Sequence, residues 1–268
     1  MQGFEYAMLG GSLLLSLVLF MMCLLLFSLR KSWSVSLGRS VGEVETKNLG
    51  WLDLAGVGLI FVIYLGNWID LGRVYLTESA NTRVIVMQLV LQVGFCGLVL
   101  GVLYRRVNFR EFWGLRPVRY WWVIGVTFVG IGSYFVVLEV LWAMGFEDWM
   151  AKVFPRVFEG VPGDFPEITF SYQLVLGVVL VISAPLMEEM VFRGYLYPVL
   201  KRMGGLWLAA VTVSLFFAAA HLEGSYLLGR FVLSLILIAA YELTGSLWAP
   251  VGIHFLNNLY VFVGSLGE

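Results

Sequence analysis

Apolar stretches close to the length of a bilayer crossing recur along this 268-residue chain, and they leave few folds open. A helix needs about 20 mostly apolar residues to cross the hydrocarbon core. The segments that qualify run roughly from Ala7 to Leu29, Leu52 to Ile69, Val84 to Tyr104, Trp121 to Gly145, Tyr172 to Val191, Leu206 to Ala220, Tyr226 to Tyr241 and Pro250 to Val263. The expected fold is therefore all-α: a polytopic membrane protein of about eight transmembrane helices, organised as one integral-membrane domain over residues 1–268. With 60% hydrophobic and 13% charged residues, and a mean hydropathy of +0.88, an ordinary soluble domain is excluded. A net charge of -1 without a basic tail points away from a nucleic-acid partner.

The first run lacks a preceding basic residue and a small-residue cleavage site, so it reads as a retained helix rather than a signal peptide. Trp33, Trp51, Trp68, Trp121, Trp122, Trp142, Trp207 and Trp248 fall at or near span ends, as an interfacial aromatic belt requires. Lys and Arg concentrate in the odd-numbered connections, from Arg30 to Lys47, from Arg105 to Arg119, and at Lys201 and Arg202. The positive-inside rule then makes those loops cytoplasmic and both termini extracytoplasmic. The proline-bearing connection Phe146 to Ser171 reads as an interfacial loop or short amphipathic helix, and a candidate lid. Cys23 and Cys96 sit in apolar spans, where a free thiol behaves as a small hydrophobe.

One apolar run is broken by charge. Ser183 to Leu200 reads SAPLMEEMVFRGYLYPVL and carries Glu188, Glu189 and Arg193. Each charge at the bilayer centre costs on the order of 2.5–3.5 kcal/mol on insertion scales, so the three must be compensated. Glu189 and Arg193 are four apart and stack as an ion pair on one face. Glu188 lies about 100° round the helix from its neighbour and finds no partner there. Its function depends on what other helices bring to it.

A hairpin centred on Gly204-Gly205 places Glu188 about 16 residues before the turn and His221 about 16 after it, at matching depth for a rise of about 1.5 Å per residue. Phe217 shares a face with His221 and can shield it. In the last span His254 and Asn258 are four apart, whereas Asn257 points elsewhere. These are the chain's two histidines. Gln88 and Gln92 share a face and read as helix-joining hydrogen-bonders. Asn67, Asp70, Glu139 and Glu242 lie near predicted helix ends, where snorkelling or interfacial water suffices.

The three motifs EEMVFR (Glu188 to Arg193), FAAAH (Phe217 to His221) and HFLNN (His254 to Asn258) resemble, in order, the EExxxR, FxxxH and HxxxN pattern of the CPBP intramembrane proteases. That family includes type II CAAX prenyl endopeptidases and bacteriocin-processing or self-immunity proteins. The resemblance covers about the last hundred residues and implies a motif-bearing catalytic core at 172–264, with the catalytic cluster in the last four helices. It implies an intramembrane endopeptidase in which Glu188, assisted by His221, activates water while His254 and Asn258 stabilise the oxyanion. Glu189, Arg193 and Phe217 would support them.

No cofactor is favoured. If a metal is used, Glu188, His221 and His254 would be its ligands and zinc the ion, because one carboxylate and two imidazoles match a three-ligand catalytic site. The expected partners are membrane lipid and a peptide or prenylated protein substrate, in a bacterial plasma membrane. The competing reading is a non-proteolytic scaffold or immunity protein that holds a partner through the same fold. A transporter ranks last, since the chain shows no halved hydropathy pattern.

Overall fold

The structure, a computed structural model, describes residues 44, 46, 48–77, 82–116, 119–146, 170–221 and 227–265. The first apolar run, with Cys23, and nearly all of the candidate lid lie outside the described residues. The described residues form helices and no strands: α1 (Trp51–Thr77), α2 (Thr82–Leu103), the short α3 (Phe109–Phe112) and α4 (Tyr120–Ala143). Next comes a continuous rod made of α5 (Phe170–Gly177), π1 (Val178–Ser183), α6 (Ala184–Val191), π2 (Phe192–Leu196) and α7 (Tyr197–Gly204). It is followed by α8 (Leu206–Ala219), α9 (Leu227–Thr244) and α10 (Trp248–Ser265).

Among the described residues three helices are long and apolar enough to cross a membrane: Tyr120–Ala143, Gln173–Gly204 and Leu227–Thr244. Shorter apolar helices run over Trp51–Tyr64, Leu89–Leu103 and Leu206–Ala219. The pattern is that of an integral-membrane protein. Large apolar side chains such as Phe128, Val129 and Leu174 face outward, while Glu189, Arg193, Ser234 and His254 are buried. Trp51, Trp121, Trp142 and Trp207 are exposed near helix ends, where amphipathic rings meet the headgroup level.

The span expected from Tyr172 to Val191 does not stop at its charges. The helix runs 32 residues to Gly204, about 48 Å at 1.5 Å per residue, well beyond a hydrocarbon core of about 30 Å. It can continue because neighbouring helices satisfy the charges. It ends at Gly205, whose φ of +86° is one a side chain would resist.

Two apolar cores flank this rod. One stacks Phe61 on Phe216 and Tyr64 on Phe95, with centroids 3.8 and 4.5 Å apart, beside Phe192 and Phe217. The other joins α4, α9 and α10 through Val126, Leu237 and Ile253. Gly130 lets α4 close on Ile253, since a Cβ there would meet its side chain. Small residues permit this close approach where lipid offers no hydrophobic drive.

Charges at the rod's ends are also paired. Glu242 is buried rather than snorkelling: its Oε1 accepts from the Tyr197 hydroxyl and from Lys201 Nζ, both at 2.6 Å. Lys201, expected as a loop cation, is itself buried in this pair. Asp53 at the start of α1 takes two hydrogen bonds of 2.8 Å from Arg106, just beyond α2. The bond to Asp53 pushes the Arg106 guanidinium above its usual range. Tyr195 donates to the Asp53 carbonyl at 3.0 Å, tying α1 to the rod.

Candidate active site

Two departures from α-helical geometry, each with a proline behind it, flank the two glutamates, and the second takes in Arg193. In π1 the Ala184 N–H reaches the Val179 carbonyl, five residues back. In that register the Leu180 carbonyl would meet Pro185, which has no N–H to give. Asn258 Nδ2 supplies the missing donor at 2.8 Å. In π2 the Tyr197 N–H likewise reaches Phe192, and Pro198 cannot serve the Gly194 carbonyl four residues back. The indole N–H of Trp113 serves it instead, at 2.9 Å. Single-turn π segments occur frequently at functional sites, and the extra residue they insert rotates the side chains beyond them about the helix axis. Here they bracket Glu188 and Glu189, and Arg193 lies within the second.

Glu189 and Arg193 form the structural half of the cluster. Both are fully buried, with Arg193 Nη1 2.8 Å from Glu189 Oε1. Arg193 Nη2 donates to Ser234 Oγ on α9 at 2.8 Å, and the guanidinium lies 4.5 Å from the Phe217 ring centroid. The same Glu189 Oε1 also meets His254 Nδ1 at 2.8 Å. Glu189 therefore sets the orientation of His254 as well as the rotation of the rod.

Glu188 forms the other half. Its Oε1 accepts from Gln92 Nε2 on α2 at 3.3 Å. Its Oε2 has no hydrogen-bond partner in the protein, yet it lies 3.6 Å from His221 Nε2 and 3.9 Å from His254 Nε2. Two imidazoles thus direct one nitrogen each at one carboxylate oxygen, at separations a single water can bridge.

The tautomers follow from the opposite edges of the rings. His221 lies just past the end of α8 rather than inside it, and its Nδ1 is 2.7 Å from the Phe217 carbonyl. A carbonyl only accepts, so Nδ1 carries a proton and Nε2 is the nitrogen turned to Glu188. That carbonyl is one of those a helix end leaves unpaired. Phe217 also packs its ring 4.7 Å from His221 and 5.6 Å from His254. For His254, Nδ1–H donates to Glu189 Oε1, which leaves Nε2 directed at Glu188.

The structure thus brings Glu188, His221 and His254 together, with Phe217, Glu189 and Arg193 packed behind them. Asn258 is one step removed: one amide N–H goes to Leu180, and its Oδ1 accepts from Asn257 at 3.2 Å. Three contributors escape a reading of local pattern, namely Gln92, Ser234 and Trp113. Gln92 left a signal, a polar side chain in an apolar span. Its bond joins helices, as expected, but its partner is Glu188 itself. Among the described residues no group of three or more His, Cys, Asp and Glu side chains is arranged to hold a metal ion.

Residues 170–260 match the family model described as Type II CAAX prenyl endopeptidase Rce1-like. Comparison with curated proteins and with solved structures finds no match.

Proposed function

From the Rce1-like match, which supports membership of the CPBP family of intramembrane proteases, we propose that this chain hydrolyses a peptide bond near the membrane interface, with Glu188 as the base. One observation carries the reading. A buried carboxylate oxygen without a protein hydrogen-bond partner faces two imidazole nitrogens, as the activation of a water requires.

In the proposed reaction Glu188 Oε2 takes a proton as water attacks the scissile carbonyl, and neutral His221 shares the load through its Nε2 lone pair. His254, with both ring nitrogens protonated, donates from Nε2 to the oxyanion while Nδ1 stays on Glu189. Asn258 keeps a second amide N–H for the same oxyanion. Donors fixed where charge develops lower the barrier most, because they need no reorganisation as the reaction proceeds. The proton held by Glu188 then passes to the leaving amine as the tetrahedral intermediate collapses.

The proposed substrate is a membrane-borne peptide or protein of the CAAX type, reached from the lipid, and the proposed setting is a bacterial plasma membrane with both termini extracytoplasmic. The test is cleavage of a quenched fluorescent peptide with a prenylated CAAX tail by purified protein in detergent. An unprenylated copy and a hydrophobic-segment peptide serve as comparison substrates. Glu188→Gln and His254→Ala are expected to abolish turnover while the protein stays folded. Turnover equal to the unmodified chain in both variants would overturn the proposal and favour a scaffold. Metal counting and chelation on the same sample decide between water activated by the carboxylate alone and water bound to zinc on Glu188, His221 and His254.

A further inference from the structure

We infer that Gln92, on a helix outside the matched segment 170–260, is a positioning residue for the catalytic base. The inference rests on the role of Glu188 proposed above. Gln92 is about 94% buried, with 6% of its surface exposed, and it belongs to a stripe of α2 that faces the rod. One turn on, Cys96 Sγ lies 3.7 Å from the Met187 carbonyl. The stripe therefore fixes α2 against the backbone immediately before Glu188 and against the Glu188 side chain itself.

The contact is chemically one-sided. An ionised carboxylate only accepts, so the amide must turn its N–H to Glu188 Oε1 and its own oxygen away. At 3.3 Å the bond is slightly longer than the usual range, and catalytic hydrogen bonds are often long before substrate binds. Holding Oε1 decides which oxygen is left for chemistry: Oε2, the one facing His221 and His254. Without that bond the carboxylate can rotate about its terminal torsion, a broad one, and turn its reactive lone pair away from the water. Gln92 Oε1 is also buried and without a hydrogen-bond partner in the protein.

The experiment measures kcat and KM for the prenylated peptide with Gln92→Met, which keeps the volume and removes both polar atoms. Gln92→Asn, an amide one methylene shorter, is the second variant. Loss of a hydrogen bond to a charged group predicts a fall in kcat of about 10- to 100-fold, with KM within about twofold. Glu188→Asp draws the carboxylate back by one methylene, beyond the reach of Gln92. In that background Gln92→Met is expected to lower kcat by less than about twofold more, since residues acting as a unit are not additive. A merely structural glutamine would give the same fold loss in both backgrounds, and that result overturns the inference. So does a kcat within about twofold of the unmodified chain in both Gln92 variants while Glu188→Gln is inactive. If Glu188→Gln itself turns over normally, the proposed function fails first.

Discussion

The rod carries two buried polar clusters, at Glu188 and at Lys201 thirteen residues on, and they differ in how their carboxylates are met. At Lys201, Tyr197 and Glu242 a cation and a hydroxyl both donate to one carboxylate oxygen at 2.6 Å, so charge and hydrogen-bonding sense are matched. At Glu188 a carboxylate oxygen faces two imidazole nitrogens at 3.6 and 3.9 Å, distances too long for direct hydrogen bonds. Each cluster leaves one carboxylate oxygen, Glu242 Oε2 or Glu188 Oε2, without a hydrogen-bond partner, but only the second has imidazole nitrogens facing that oxygen at a distance a bridging molecule can span. Both clusters are buried, so burial does not tell them apart. The balance of donors against acceptors does.

One chemical change made in both places tests this contrast most severely. Glu188→Gln is expected to lower the cleavage rate by about 100- to 10,000-fold, the span of general acid–base contributions. Glu242→Gln should leave kcat within about threefold. Equal losses in the peptide assay would erase the distinction. The next effect reverses the order. Lys201→Met strands Glu242 in a buried site and should lower stability by about 3–5 kcal/mol, and pairing it with Glu242→Leu should recover part of the loss. Unfolding in detergent measures both, with turnover per folded molecule unchanged.

A smaller effect tests what holds the rod in register. Trp113→Phe removes one N–H and leaves the Gly194 carbonyl without its donor, at a cost of about 1–3 kcal/mol. Because π2 begins within the charged hexapeptide, turnover should fall with it, whereas Trp207→Phe on the exposed surface should change neither. Turnover equal to the unmodified chain in Trp113→Phe would separate the bracket from the chemistry.

Much of the architecture is legible without coordinates. Apolar runs of bilayer length require helices, and the i,i+4 spacing of Glu189 and Arg193 already demands the ion pair that forms at 2.8 Å. The Gly204-Gly205 turn makes the rod and α8 antiparallel, so residues equidistant from it come to one depth, as Glu188 and His221 do. The same arithmetic puts His254 too shallow. Its contact with Glu189 at 2.8 Å shows that rise per residue counted from a turn is not by itself a depth gauge.

What the chain's own pattern determined, then, is local: helices, their pairing at tight turns, and which side chains share a face. The tertiary structure alone decided that Gln92 reaches Glu188, that Trp113 and Asn258 serve carbonyls orphaned by Pro198 and Pro185, and that Lys201 and Tyr197 donate to Glu242. The reason is physical. A helix that is apolar nearly all round carries no stripe to announce which side faces its neighbours. Rotation and depth are settled instead by a few polar contacts between residues far apart in sequence, 96 positions in the case of Gln92 and Glu188.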